Sequence, residues 1–589
     1  MKSFFKTLFA SFFGALLALA FFFLIGFSII SSFNAKTEVS IPSSAILKLD
    51  FNESLAEQTS KESFNFDLNI IPYINTSSNN KLGILDAVKA VNIASQDPAI
   101  KLIYINPTNL AGDMTQLEEL RKALENFKAS GKPIVSYSEN YSQLGYYLSS
   151  VGDKVYINPM GTNQLMGLSA QIMYLKDILD KIGVNVQLIR HGKYKSAGEQ
   201  YITNHMSKAN KEQQTVMLTS IWKELSEAIC KSRNIDINQF NEDINNLSVI
   251  TADQMVEAGL VDKTMTRDEM NKQLCLLFNV KNPSKLKMVS LSKYAKVKLK
   301  TNVKAKNKIA ILYATGEIVD GSDHSKLATE DFIPLIRKVR KDSSIKAVVL
   351  RVNSPGGSAI AAELMRTELM LLQEDKPLIL SFGNYAASGG YWISANCEKI
   401  FTDNMTLTGS IGVFSMIPEI GGVIRNKLHI NPQTISTHRH ADMMKLMRPF
   451  DKEETRYMQA GIEQVYTNFL SIVSNGRSMT TEKVDSIAQG RVWTGYNAIK
   501  IGLVDEIGGL NDALEYASEI TGLEEYRLVS YPKQRNSISE LMSNMNQAAA
   551  NINFFSNATP EDIYNQVASD LEKSKGIYAR IPYIMNISK

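Results

Sequence analysis

The sequence contains two diverged copies of one unit, and this duplication limits the possible folds more than any other feature. DPAIKLIYIN, which begins at Asp97, matches DSSIKAVVLRVN, which begins 245 residues later at Asp342. GKPIVSYSENYSQLGYYLSS, from Gly131, matches DKPLILSFGNYAASGGYWIS, which begins 244 residues later at Asp375. In both copies short apolar runs alternate with helical segments, a pattern typical of parallel sheets with right-handed crossovers. The sequence therefore predicts an α/β protein made of two tandem parallel-sheet units.

The chain of 589 residues is too long for one core. We expect the first repeat over residues 37–287 and the second over 309–530. Between them, residues 288–308 form a strongly basic linker, interpreted as a solvated connector, with contact to anionic lipid as the alternative. Residues 531–589, rich in Asn and Ser, are expected to be a peripheral tail.

Residues 1–36 predict a signal-anchor that crosses a membrane. Lys2 and Lys6 precede Thr7 to Phe33, a run of 27 residues without an ionisable group. At about 1.5 Å per residue this run is long enough to cross a hydrocarbon core of about 30 Å. A cleaved signal peptide is the alternative, but the run is longer than the usual hydrophobic region and no A-x-A site follows. The positive-inside tendency predicts a single-pass protein of the inner membrane with its body on the periplasmic side.

Charge and cysteine content exclude several other classes of protein. The net charge of +4 provides no basic footprint for nucleic acid. Three widely spaced cysteines form neither a disulfide framework nor a metal pattern, and are interpreted as small buried hydrophobes: Cys230, Cys275 and Cys397. His438, His440 and Asp442 are close in sequence but lack a further nearby ligand, so we interpret them as surface residues. No metal and no cofactor are predicted.

Ser388 is the candidate nucleophile. It follows Pro377 to Phe382, a short apolar run that predicts a strand buried on both faces. Its neighbours are too small to block the hydroxyl: Ala386, Ala387, Gly389 and Gly390. Helical apolar spacing from Tyr391 to Cys397 predicts that Ser388 lies at a helix N-terminus, where backbone N–H groups favour developing negative charge.

Gly356 and Gly357 end the preceding buried strand, Ala347 to Val352. Their backbone lacks side chains and can direct an N–H group toward Ser388. Both turns follow strand C-termini, where open parallel sheets have their sites. The alternative is that SPGG and ASGG are ordinary turns, since Gly and Ser are common there.

The base predicted for this serine is a lysine, because no histidine lies in a pattern that marks a Ser/His/Asp triad. A desolvated lysine releases its proton more easily and can act as a base. The two copies differ in a complementary way. The position equivalent to Ser388 in the first copy is Gln143, while RHGKYKSAGEQY in the first copy contains Lys195, whose equivalent in the second is His440. A complete site would therefore need both copies, facing each other across an interface.

These motifs together resemble a known family. RVNSPGG, AASGGYWI, LTGSIG and GKYKSA, in two diverged copies behind a membrane anchor, closely resemble the long bacterial form of signal peptide peptidase A, also called protease IV, of peptidase family S49. The resemblance implies a fold similar to Clp protease and crotonase, with a Ser/Lys dyad. It assigns these roles: Ser388 nucleophile, Lys195 general base, Ser410 positioning of the lysine, and Gly357 with Gly389 the oxyanion hole.

The expected function is that of a membrane-anchored serine endopeptidase that degrades cleaved signal peptides and other short apolar peptides. The resemblance also implies a homotetramer. Spacing alone does not distinguish Lys195 from Lys193, so the choice rests on the resemblance. Pairing with Glu199, four residues on, would raise the lysine pKa, so we expect Glu199 to point elsewhere. A crotonase-like acyl-CoA enzyme and a non-enzymatic membrane scaffold are the alternatives.

Overall fold

The computed structural model describes residues 14, 17, 21, 40–60, 81–299, 304–533 and 577–581. The chain divides into two compact units, Met1–Pro42 and Ser43–Lys589, and the elements below belong to the second unit. The predicted signal-anchor lies outside the described residues except for three isolated positions. Within the described ranges, no helix combines the length and the apolar character needed to cross a membrane.

The first repeat forms a six-stranded parallel sheet in the order β8-β6-β5-β4-β1-β9. The strands of this half are β1 Ala45–Leu49, β2 Ser54–Ala56, β3 Lys81–Gly83, β4 Ile100–Ile105, β5 Ile134–Ser138, β6 Lys154–Ile157, β7 Asn185–His191, β8 Lys263–Thr264 and β9 Met288–Ser290. The helices are α1 Ile84–Gln96, α2 Met114–Ala129, α3 Gln143–Ser149, α4 Lys176–Ile182, α5 Glu199–Ile202, α6 Lys208–Arg233, α7 Ile237–Asn246, α8 Ala252–Glu257, α9 Arg267–Leu277 and α10 Leu291–Lys298. Strand β9 and helix α10 thus fold with the first repeat, although their residues begin the expected linker.

The second repeat forms a sheet that contains the parallel order β20-β16-β15-β13-β10-β21. Its strands are β10 Lys308–Thr315, β11 Ile318–Val319, β12 Leu327–Ala328, β13 Ile345–Ser354, β14 Gly356–Ser358, β15 Leu378–Ala387, β16 Lys399–Thr402, β17 Leu407–Gly409, β18 Val413–Glu419, β19 Val492–Thr494, β20 Glu506–Ile507 and β21 Arg527–Tyr531. Its helices are α11 Thr329–Lys341, α12 Ala359–Asp375, α13 Gly389–Trp392, α14 Lys452–Arg477, α15 Thr481–Ile487, α16 Gly495–Lys500 and α17 Leu510–Thr521.

The two sheets have the same topology. The strands correspond one to one along the two sheets. The order β8-β6-β5-β4-β1-β9 in the first repeat matches the order β20-β16-β15-β13-β10-β21 in the second. The prediction of an α/β protein with parallel sheets is confirmed. Strands β17 and β19 extend the second sheet beside the end of β15, with β19 antiparallel to β17.

The second sheet is buried on both faces, as parallel sheets covered by helices require. Alternate residues of β10 contribute to two separate hydrophobic clusters, since side chains in a strand alternate between faces. One cluster contains Ala310, Leu312 and Ala314, and the other contains Ile309, Ile311 and Tyr313. The three cysteines are free and buried, as predicted.

A third sheet joins the two repeats and includes one further strand, β22 (Tyr578–Arg580). The order of its strands is β12-β11-β14-β22-β18-β7. Strand β7 of the first repeat pairs antiparallel with β18 of the second, from Asn185 opposite Glu419 to His191 opposite Val413. Strand β22, Tyr578–Arg580, comes from the C-terminal tail and lies between β14 and β18. Residues 577–581 therefore differ from the peripheral tail that was expected, because β14 and β18 offer them backbone hydrogen-bonding partners on both sides.

A buried ion-pair cluster also joins the repeats. Arg351 on β13 is fully buried, and its Nε donates to Glu57 Oε2 at 2.7 Å. Its Nη2 donates to Glu119 Oε1 on α2 at 2.7 Å, and its Nη1 donates to the Ser381 hydroxyl at 2.8 Å. Glu119 Oε2 in turn accepts from the Leu510 backbone N–H at 3.0 Å. These contacts fix α2 of the first repeat against the sheet of the second, which sets the relative position of the two halves.

Candidate active site

Ser388 directly follows β15. This strand extends to Ala387, beyond the predicted end at Phe382, because its last residues pair with β17. Ser388 has φ 56 and ψ −113, a conformation that costs a residue with a Cβ about 1–3 kcal/mol. The Ser388 N–H donates to the Gly409 carbonyl at 2.7 Å, and the Ser388 carbonyl accepts from Trp392 N–H at 2.8 Å. The backbone thus holds the fully buried Ser388 in one strained orientation.

The helix after Ser388 is a single turn, Gly389–Trp392. The prediction that it continues to Cys397 is therefore wrong. The Ser394 hydroxyl donates to the Gly390 carbonyl at 2.6 Å. Serine bonds of this kind compete with the helical backbone pattern and favour its end.

Lys195 meets Ser388 across the repeat interface. It lies in the loop after β7 and is fully buried. Its Nζ is 2.7 Å from Ser388 Oγ, 3.0 Å from Ser410 Oγ and 3.0 Å from the Ser410 carbonyl oxygen. Burial lowers the pKa of Lys195 well below its usual range, because the charged ammonium loses its hydration. Lys193, by contrast, is exposed, with its Nζ 4.8 Å from the centre of the Tyr194 ring.

Ser410 faces the lysine with both of its oxygens. It follows β17 with a left-handed φ of 50, and its N–H donates to the Arg491 carbonyl at 2.7 Å. This turn directs the Ser410 carbonyl and hydroxyl toward the same Nζ. The family resemblance assigned Ser410, Ser388 and Lys195 to one site, and the structure brings all three together.

Glu199 points away from Lys195, as expected. Its Oε2 accepts from Asn210 Nδ2 at 2.8 Å, and its Oε1 lies 4.0 Å from Arg190 Nη2. Arg190 Nη1 also donates to the Lys195 carbonyl at 2.7 Å. Glu199 and Arg190 thus support the loop that contains Lys195.

Gly490 is a site residue that the sequence reasoning missed. It belongs to the second repeat, has a φ of +76, and packs against the lysine loop so closely that a Cβ there would lie 2.6 Å from both the Cβ and the N of Lys195. The neighbouring Gln489 carbonyl accepts from Tyr194 N–H at 2.9 Å. In the sequence, Gly490 is visible only as one glycine in QGRVW. Its importance comes from its contact with Lys195 of the other repeat, which no local pattern indicates.

The glycines proposed for the oxyanion hole lie beside one another. A Cβ on Gly389 would lie 3.1 Å from the Gly357 N. A Cβ on Gly356, where φ is +92, would lie 2.7 Å from the Gly389 N. A Cβ on Gly357 would overlap the Ile318 carbonyl. Only residues without a side chain allow this approach of β14 to the backbone that follows Ser388.

The histidine that replaces Lys195 in the second repeat has a structural environment of its own. His440 Nδ1 lies 2.9 Å from Glu454 Oε1, and the possible ligand atoms of His440, Asp451 and Glu454 lie within 4.8 Å of one another. Arg448 Nη2 is 2.7 Å from the same Glu454 oxygen and 2.7 Å from Asp442. Arg448 thus forms ion pairs with Glu454 and Asp442.

Comparisons with known proteins show the family of this chain. The model of peptidase family S49 matches residues 126–281 and 370–524, which together exceed half of the chain and fall one in each repeat. Protease 4 of Haemophilus influenzae is 36% identical over 453 residues, 75% of this chain and 73% of that protein. Protease 4 of Salmonella typhi is 33% identical over 523 residues, 84% of each chain. A putative signal peptide peptidase SppA of Enterococcus faecium is 34% identical over 230 residues, 38% of this chain and 67% of that protein.

These matches identify the chain as a serine protease. It belongs to peptidase family S49, in agreement with the resemblance drawn from its motifs. The acyl-CoA enzyme and the non-enzymatic scaffold are both excluded by this assignment.

Proposed function

We propose that Ser388 is the nucleophile and Lys195 the general base of peptide-bond hydrolysis. The observation that carries this proposal is the 2.7 Å distance between Lys195 Nζ and Ser388 Oγ, with both residues fully buried. Because burial lowers the pKa of Lys195, this lysine becomes a neutral amine at a lower pH than an exposed lysine does. A neutral amine has two N–H groups for the two Ser410 oxygens and one lone pair for the Ser388 proton.

The reaction follows from this arrangement. The Ser388 oxygen attacks the peptide carbonyl carbon while its proton passes to Lys195 Nζ. The N–H groups of Gly357 and Gly389 stabilise the oxyanion, and Ser410 keeps the lysine in place. The Lys195 ammonium then returns the proton to the leaving amine. A water molecule, deprotonated by Lys195, hydrolyses the acyl-enzyme ester.

The substrates we propose are short apolar peptides, among them signal peptides that remain in the membrane after cleavage. The Enterococcus faecium relative is named as a putative signal peptide peptidase, and this supports the proposed substrate class. The apolar run from Thr7 to Phe33 supports a single-pass anchor in the inner membrane with the body on the periplasmic side. We also propose that each of the two repeats has a fold of the Clp-protease and crotonase type.

We further propose that the protease is a homotetramer. Exposed apolar side chains occur on α4 and in residues 428–430. Gly183, which directly follows α4, packs closely against Val423, because a Cβ on Gly183 would lie 2.9 Å from the Val423 N. Large exposed apolar surfaces are typical of protein interfaces. The residues are Ile178, Ile182, Leu428 and Ile430. Sedimentation velocity of the full chain in detergent tests the assembly, and a monomer at all concentrations would contradict it.

The experiment for the dyad measures hydrolysis of a fluorogenic apolar peptide by the full chain. We expect Ser388→Ala and Lys195→Ala to lower kcat/KM by at least about 1,000-fold with unchanged circular dichroism. Lys193→Ala is the matched control, because this lysine is exposed and two residues away, and it is expected to keep wild-type activity. An active Lys195→Ala variant would show that the base is another residue.

A further inference from the structure

Gln213 is a buried polar side chain that has no part in the proposed reaction. It lies on α6 of the first repeat and is 1% exposed. Its Oε1 accepts from the Val492 N–H at 2.8 Å, and its Nε2 donates to the Tyr194 carbonyl at 3.4 Å. Because Oε1 must face the N–H donor, only one orientation of the amide satisfies both contacts. Gln213 thus connects two backbone segments that belong to different repeats.

The Tyr194 carbonyl belongs to the peptide unit that leads into Lys195. It accepts from the Ser196 N–H at 2.8 Å as well as from Gln213, so both of its lone pairs are used. The N–H of the same peptide unit, from Lys195, donates to the Gly192 carbonyl at 3.1 Å. Because a peptide unit is planar, these bonds fix the direction in which the Lys195 side chain leaves the backbone.

The Val492 N–H belongs to the strand beside Ser388. Strand β19 pairs antiparallel with β17, and Val492 is opposite Gly409. The Gly409 carbonyl accepts from the Ser388 N–H at 2.7 Å. The carbonyl of Arg491, the residue before Val492, accepts from the Ser410 N–H at 2.7 Å. The second contact of Gln213 is therefore with the backbone that holds both serines of the site.

The other contacts of this region with α6 reach the side chain of Tyr194. The Tyr194 hydroxyl donates to Glu212 Oε1 at 3.0 Å, and Arg491 Cζ lies 4.8 Å from the centre of the Tyr194 ring. The Glu212 side chain is 52% exposed, so water competes for its hydrogen bonds. The Gln213 amide is shielded from water, and a buried polar group that loses its partner is costly. Gln213 is therefore the residue of α6 that holds the backbone at Tyr194 most firmly.

We propose that Gln213 is a positioning residue of the dyad, which sets the distance between Lys195 and Ser388 by linking the loop that contains Lys195 to strand β19. This inference rests on the proposed dyad and adds a residue that acts through the backbone of both partners. Loss of the amide leaves the Val492 N–H without a partner in a buried position. The backbone then moves to recover a hydrogen bond, and the lysine moves with it.

The test measures kcat and KM of the full chain on the fluorogenic apolar peptide. Gln213→Met has a side chain of similar length but loses both hydrogen bonds, and we expect kcat to fall about 10-fold. KM should stay within about 2-fold of wild type, because the substrate-binding surface is unchanged. Gln213→Asn keeps a buried amide but is one methylene too short to reach both partners, and kcat should fall to a similar extent.

Ser220→Ala is the matched control. Ser220 lies on the same helix, and its hydroxyl forms a hydrogen bond of 2.8 Å with Thr494 Oγ1 on the same strand, β19. It also accepts from Asn497 Nδ2 at 3.2 Å. These bonds cross the same interface between the repeats but do not involve the loop that contains Lys195. Gln213→Met and Ser220→Ala should both lower the midpoint of urea denaturation, whereas only the Gln213 variants should lower kcat.

The two proposals fail in different ways. If the folded Gln213 variants have the kcat of Ser220→Ala while Lys195→Ala is inactive, the positioning role is overturned and the dyad stands. A raised KM with an unchanged kcat also overturns it, because Gln213 would then serve substrate binding. An active Lys195→Ala enzyme overturns the dyad, and the positioning role with it.

Discussion

Replacing Gly490 with alanine tests whether the second repeat positions the lysine of the first. The new Cβ would lie 2.6 Å from the Lys195 N and Cβ and 2.8 Å from its Cα. Carbon atoms in contact prefer about 3.5–4.0 Å, so the lysine backbone must move by about 1 Å. No side-chain rotation relieves a contact with backbone atoms. A displacement of about 1 Å in a catalytic group costs about 100-fold in rate, or about 3 kcal/mol. We therefore expect kcat to fall about 100-fold.

Gly321→Ala is the matched control. Gly321 has a φ of +77 against +76 for Gly490, but no atom lies within 4 Å of its Cβ position. Both variants should lose about 1–2 kcal/mol of stability from the left-handed backbone, as measured by urea denaturation. Only Gly490→Ala should lose activity on the fluorogenic peptide. If the activity of Gly490→Ala equals that of Gly321→Ala, Gly490 does not position Lys195 and this reasoning is refuted.

Four further results are expected. Activity should rise with pH through an apparent pKa well below 10.5, because only neutral Lys195 accepts the proton. The unfolding free energy of wild type relative to Lys195→Met should rise with pH between the lowered pKa of folded Lys195 and the ordinary lysine pKa of 10.5. In this range the unfolded chain binds a proton that the folded chain has lost. A difference in unfolding free energy that does not change with pH in urea titrations would contradict the burial of Lys195. Arg351→Ala should cost about 3–5 kcal/mol because it leaves Glu57 and Glu119 buried without their partner, whereas the exposed Arg337→Ala should cost less than about 1 kcal/mol in the same denaturation assay. Ser410→Ala should lower kcat about 10-fold through loss of one hydrogen bond at 3.0 Å, with an unchanged kcat arguing against positioning.

Much of the site could be predicted because the two copies of the unit differ at informative positions. Serine in one copy and lysine in the other predicted a site between the repeats, and the resemblance of the motifs to a known family indicated which serine and which lysine. Burial distinguishes Lys195 from Lys193, and burial depends on β7 pairing with β18 of the other repeat. That pairing joins residues more than 200 positions apart and leaves no local pattern in the sequence.

Other features were outside the reach of sequence patterns for a related reason. The end of α13 at Trp392 is accompanied by a bond from the Ser394 hydroxyl to the Gly390 carbonyl, which hydrophobic spacing does not reveal. The role of Gly490 depends on how closely two loops approach. Tyr578–Arg580 is too short for a strand prediction, and it forms β22 because β14 and β18 leave room for a strand between them.

The measurement that tests the central claim most directly is covalent labelling of the full chain by a fluorophosphonate, with the adduct located by peptide mass spectrometry. We predict an adduct on Ser388 in wild type at neutral pH, with a rate lowered at least about 100-fold in Lys195→Met and unchanged in Lys193→Met. An adduct on another serine, or equal labelling of Ser388 in wild type and Lys195→Met, would contradict a nucleophile activated by the lysine of the other repeat.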